Sequence, residues 1–118
     1  MDDTETHLRK FHKELSAGIV SLVLLGVLAR ARTPMYGYQI GKRLEQTGEG
    51  VLSDKQSALY PVLRNLAAAG LLDSEVEPSV TGPPRRYYRI TPLGRRVLRD
   101  WSLAWIATRD FVNTVLED

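Results

Sequence analysis

The chain has 118 residues, of which 43% are hydrophobic and 25% charged, with a formal net charge of +2 and no cysteine. That fits one small soluble domain, and it excludes disulfides, thiolate metal sites and cysteine nucleophiles. The longest apolar run, residues 19–29, is broken by Ser21 and Gly26 and closed by Arg30; it is shorter than the roughly 20 residues a membrane span requires. Residues 1–15 mix acids, bases and two histidines, unlike a signal peptide. A cytoplasmic protein with no membrane partner is the expectation.

In chain order, residues 1–15 read as a polar arm or a short, marginal helix. Residues 16–32 read as the first firm helix, with Ser16 as its N-cap. It is apolar on all sides, so a monomer cannot cover it. Ile19 and Val23 are therefore expected to face a second copy of the chain. Thr33-Pro34 stops this helix and opens the next, proline being tolerated in a first turn. The second helix spans about residues 36–46, with Tyr36, Ile40 and Leu44 at helical spacing, and Gly48-Glu49-Gly50 ends it. Ser53 or Asp54 caps a third helix, Ser53 with Gln56 forming a capping-box pattern. Leu59, Leu63 and Leu66 make its inward stripe, Pro61 tightens its start, and Gly70 ends it.

Residues 71–77 alternate as a strand, with Leu72, Ser74 and Val76 on one side and Asp73, Glu75 and Glu77 on the other. Thr81-Gly82-Pro83-Pro84 turns the chain, and residues 85–90 return antiparallel. From Arg85 to Arg99 there are six arginines and no acid. Thr91 then caps a last helix with Pro92 at its first position. Unbroken to residue 118, that helix is about 40 Å long. Val97, Trp101, Ala104, Thr108, Phe111 and Val115 form a seam along it, widened by Leu98, Trp105, Val112 and Leu116. Such a seam calls for a partner, and a homodimer is the simplest one.

Three helices followed by a two-stranded hairpin is the order of a winged helix-turn-helix, whose third helix enters the DNA major groove while the hairpin touches backbone or minor groove. The expected fold is mainly α with a small β-hairpin (α+β). A winged helix-turn-helix covers residues 16–90 and a dimerisation helix residues 91–118. With the leucine stripe inward, Gln56, Ser57, Tyr60 and Arg64 share the outer face of the third helix and are its DNA-contact candidates; glutamine and arginine pair bidentately with adenine and guanine edges. Tyr36 either packs in the core or offers a hydroxyl and nearby amides to a phosphate at a helix start. In the hairpin, Tyr88 and Ile90 point inward, leaving Arg85, Tyr87 and Arg89 opposite the acids of the preceding strand. Arg86, near the tip, has no such partner and ranks first for DNA backbone contact, Arg85 second. Trp101 and Trp105, one turn apart, either pack a dimer or clamp a planar aromatic effector across a twofold axis. His7 and His12 lack the spacing of a metal or catalytic site. No enzyme, metal or cofactor is expected.

The segments LLGVLARARTPMYGYQIGKRLEQTGEG (24–50), ALYPVLRNLAAAGLLDSE (58–75) and GPPRRYYRITPLGRRVL (82–98) resemble the PadR family of bacterial transcriptional regulators. The single C-terminal helix is similar to that of its short subfamily, in which this helix and the first one build the dimer. The resemblance implies a homodimeric, ligand-responsive repressor on a palindromic double-stranded operator, with Trp105 where multidrug-binding members place a drug-stacking tryptophan. Many members carry Gly-Thr before Leu-Tyr-Pro, whereas this chain has Ser57-Ala58, so no threonine contact to DNA carries over. Two other readings of the residues stay open: a dimer that sequesters small molecules, and a winged-helix adaptor that binds protein.

Overall fold

The computed structural model describes residues 3–47 and 58–117. Among these residues seven elements follow in order: α1 Asp3–Arg30, β1 Met35–Tyr36, α2 Gly37–Thr47, α3 Leu59–Ala68, β2 Leu72–Glu77, β3 Arg85–Ile90 and α4 Pro92–Leu116. The strands form one antiparallel sheet in the order β1-β3-β2. The class is α+β, mostly helical with this small sheet, as the sequence suggests.

The first difference from sequence expectation lies in α1, which is continuous through residue 16. Ser16 is fully buried inside the helix and is not its cap. Leu8, Phe11, Leu15 and Ile19 do fall at helical spacing there, but charged residues surround them and the capping chemistry of Ser16 points to a later start. The helix also stops two residues early, at Arg30, with the Ala31 amide bonded to the Val27 carbonyl at 3.1 Å. Pro34 consequently lies in the connection before β1 and not in a helical first turn. By length and composition α1 could cross a membrane, yet Val20, Leu24, Leu25 and Leu28 are core residues of the domain.

Around these four α1 residues pack Met35, Ile40, the inward stripe Leu59, Leu63 and Leu66, and Leu71, Leu72, Tyr88 and Ile90. The stripe and the hairpin phasing are as the sequence predicts. Pro61 falls in the first turn of α3, where its missing N–H has no intrahelical acceptor to lose. The proposed caps at Ser53 and Asp54, the capping box to Gln56 and the Gly48–Gly50 stop lie outside the described residues.

One junction ties the recognition half of the domain to α4. After α3, Gly70 adopts φ 81°, the Gly70 amide bonds the Ala67 carbonyl and the Leu71 amide bonds the Leu66 carbonyl, each at 3.0 Å. This is the Schellman end that glycine permits. The Thr91 hydroxyl accepts from the Gly94 amide at 2.9 Å, capping α4, and donates to the Gly70 carbonyl at 2.7 Å. Gly94 is buried there, and a Cβ on it would overlap the Leu71 carbonyl oxygen and sit 2.7 Å from Ile90 Cγ1.

Helix α4 then runs back along α1. Arg95 Nη1 donates to the Ala29 carbonyl at 3.4 Å near one end, while Leu15 and Thr108 line a common groove further along. Val97, Leu98 and Trp101 pack on the core. Beyond them the helix leaves it: Leu103 is 63% exposed, Phe111 68%, Val115 63% and Leu116 74%. The polar half of α1 likewise exposes Leu8, Phe11 and Leu15.

Candidate nucleic-acid interface

Recognition geometry begins with the α2–α3 pair. Tyr60 and Arg64 occupy the outer side of α3, opposite Leu59, Leu63 and Leu66, and both are exposed. Gln56 and Ser57 lie outside the described residues. Tyr60 does not simply point at solvent. A Cβ on Gly37 would overlap Tyr60 Cε1 and come within 2.9 Å of its Cζ and 3.0 Å of its hydroxyl, so the ring lies across the Gly37 backbone. Glycine at the start of α2 thus lets the third helix seat its aromatic ring against the second. Nothing in the sequence spacing announces that contact.

Tyr36 is placed differently from expectation. It belongs to β1, paired with Tyr87, and α2 starts one residue later. Its amide donates to Gln39 Oε1 at 3.1 Å, the back-bond of a capping box, and so is not free for a phosphate. Its ring is partly buried in an aromatic group: Tyr87 meets it edge-on at 5.3 Å and Tyr38 stacks at 6.5 Å. A two-residue strand has too little sequence for alternation to show, which is why it reads as helix.

The hairpin register pairs Asp73 with Arg89, Glu75 with Tyr87, Val76 with Arg86 and Glu77 with Arg85. Opposite charges therefore stand directly across the strands, as the phasing predicts. Yet among the described residues no ion pair forms between those acids and Arg85 or Arg89. The Arg85 guanidinium instead lies over the Tyr36 ring, 4.5 Å from its centroid. Arg86, expected to lack a partner, donates from Nη1 to Ser74 Oγ at 2.9 Å and stays exposed. Alternation places Ser74 on the same side as Tyr88; toward the tip that side is exposed, and the long arginine folds onto it.

Trp101 and Trp105 line a single groove of about 430 Å³ between α1 and α4, with Leu15, Ile19, Leu22, Ala104 and Thr108. Trp101 is half-buried and Trp105 is 40% exposed. Of the other residues expected in a dimer interface, Ile19, Val23 and Val97 are partly buried, while Thr108, Phe111, Val112 and Val115 are exposed. Among the described residues there is no group of histidines and carboxylates arranged to hold a metal. His7 and His12 both sit on the polar half of α1.

A helix-turn-helix followed by a two-stranded wing, with a separate helix leaving the core, defines a winged helix-turn-helix DNA-binding protein. Residues 24–100 match the Transcriptional regulator PadR-like family. A PadR family transcriptional regulator from Eggerthella lenta is 34% identical, covering 97% of this chain and 96% of its own, with a TM-score of 0.79. A transcriptional regulator from Clostridium thermocellum is 25% identical over 88% of this chain and 99% of its own, TM-score 0.78. An uncharacterized protein of Lysinibacillus sphaericus is 26% identical over 97 residues, 82% of this chain and 86% of that protein. The chain belongs to the PadR-like family of transcriptional regulators: it is a DNA-binding regulator and not an enzyme.

Proposed function

We propose that the chain is a cytoplasmic, ligand-responsive repressor that binds a palindromic operator as a homodimer. One observation carries the dimer: the far half of α4 leaves the core with Leu103, Phe111, Val115 and Leu116 more than three-fifths exposed. Uncovered apolar surface of that extent on a helix marks an interface. Leu8, Phe11 and Leu15 on α1 extend the same uncovered region. Two heads joined through α4 would place two copies of α3 in successive major grooves, about 34 Å or a small multiple apart, which is what a palindrome requires.

Within each head, Arg64 and Tyr60 are the described candidates on α3, with Gln56 and Ser57 beside them in sequence. Arg64 is assigned to a base edge and Arg86 to backbone, exchanging its Ser74 hydroxyl for a phosphate. A charge-assisted bond is about twice as strong as a neutral one, which favours that exchange. The groove at Trp101 and Trp105 is the proposed effector site. A flat aromatic compound there would change how α1 and α4 meet, and a difference in affinity between two placements of the heads would weaken operator binding.

Selection of genomic DNA with the purified protein tests the reading. A shared inverted repeat among the selected fragments is expected. Recovery of fragments with no common motif would sink the operator, and favour sequestration or protein binding instead. Tryptophan fluorescence against a panel of planar compounds tests the effector: quenching in the wild type and its loss in Trp105→Ala are expected, and an unquenched wild type leaves the tryptophans as packing residues only.

A further inference from the structure

We infer that Arg85 is a positioning residue that braces the wing against the helix-turn-helix through Tyr36, and that only its neighbour Arg86 engages the DNA backbone. This rests on the reading of the wing given above. Arg85 opens β3, the residue at which the chain re-enters the sheet after the loop at residues 78–84. Directly across from it stands Glu77, the partner simple electrostatics would choose. The guanidinium declines that partner and lies 4.5 Å from the Tyr36 ring centroid.

The geometry follows from register. Tyr36 pairs with Tyr87, so Arg85 is the diagonal neighbour of Tyr36 on the same sheet face, within reach of a long side chain. Tyr36 is itself held from two more sides, edge-on by Tyr87 at 5.3 Å and by Tyr38 stacked at 6.5 Å with 20° between the planes. Tyr38 is in α2, and Lys42 Nζ lies 5.6 Å from its ring on the next turn. A cation, two stacked rings and a second cation thus run from the base of the wing onto the first helix of the reading head. Each cation–ring pair is a modest attraction at an exposed site, but arranged in series they restrict the wing's angle. A wing held in place before DNA arrives loses less freedom when it binds.

A phosphate contact and a brace differ in their salt dependence. Each phosphate neutralised contributes about 0.9 to the slope of log affinity against log salt, whereas a brace releases no counterion. Arg86→Met should lower the slope by about that amount, and Arg85→Met should leave it unchanged while weakening operator binding about two- to fivefold. Tyr36→Leu should mimic Arg85→Met, and the double variant should bind no worse than the weaker single one. A slope for Arg85→Met reduced as much as for Arg86→Met, or losses that simply add in the double variant, would overturn the brace. A readout without DNA separates this from the wing reading: in the free protein the Arg85 side-chain protons should resonate upfield, shielded by the Tyr36 ring, and return to ordinary shifts in Tyr36→Leu. Unshifted Arg85 protons in the wild type would refute the inference however the protein binds DNA.

Discussion

Replacing Gly94 with alanine adds one methyl group at the place where α4 meets the hairpin base. The added Cβ would overlap the Leu71 carbonyl oxygen, a backbone atom that cannot rotate away, and press on Ile90 Cγ1 at 2.7 Å. That carbonyl also accepts the Thr91 amide at 3.1 Å, so relief by separation strains the bond that starts α4. Overpacking costs about 1–3 kcal/mol, and weakening the backbone bond adds about 1 kcal/mol. Alanine's better helix propensity returns up to about 1 kcal/mol. The net loss is about 1–3 kcal/mol, and at about 4 °C per kcal/mol for a domain of this size the melting temperature should fall by about 4–12 °C. Thermal unfolding followed by circular dichroism at one protein concentration measures it, the fixed concentration removing mass-action effects of association. An unchanged or raised melting temperature would refute the claim that the close approach of α4 to Leu71 requires glycine.

Three further outcomes are expected. Gly37→Ala meets a tyrosine side chain in place of backbone, so stability should change by less than about 1 kcal/mol as Tyr60 swings aside; operator affinity should drop roughly fivefold, the equivalent of one misplaced hydrogen-bonding side chain, and a gel-shift titration compares the two effects. Thr91→Val removes both the α4 cap and the bond to Gly70, which should cost about 1–2 kcal/mol in a chemical denaturation curve, with Thr91→Ser recovering most of it. Phe111→Glu combined with Val115→Glu places two charges on the uncovered face of α4; sedimentation should show a folded monomer, and a dimer as tight as wild type would move the interface elsewhere.

The parts of the fold legible in sequence are those governed by near neighbours. Thr91 followed by Pro92 announces the start of α4, and the alternation of residues 72–77 and 85–90 shows which hairpin side chains face inward, though not which residues pair. The leucine stripe of α3 was equally plain. What escaped depends on groups distant in the chain. In the polar half of α1 only Leu8, Phe11 and Leu15 mark a helix running into Ser16, a stripe thin enough for the capping signal to outweigh, and β1 is too short to alternate. In the candidate interface the outer placement of Tyr60 and Arg64 was readable, but the seat of Tyr60 on Gly37 was not. Arg85 illustrates the limit best: cross-strand charge rules point to Glu77, whereas the guanidinium finds an aromatic ring on a third strand that the sequence pattern did not reveal.

The hydroxyl of Thr91 fastens Gly70, just past the end of α3, to the first turn of α4, and this makes the junction an anchor. Beyond the turns packed on the core, residues 103–116 of α4 form an arm of about 21 Å. Tilting it by one degree about its packed end shifts its tip by about 0.4 Å, so a displacement the size of one water molecule at the far end corresponds to about eight degrees. The contacts of Thr91, Gly70 and Gly94 hold the near end of that arm, so a push at its exposed end has to bend α4 or shift the turns packed on the core.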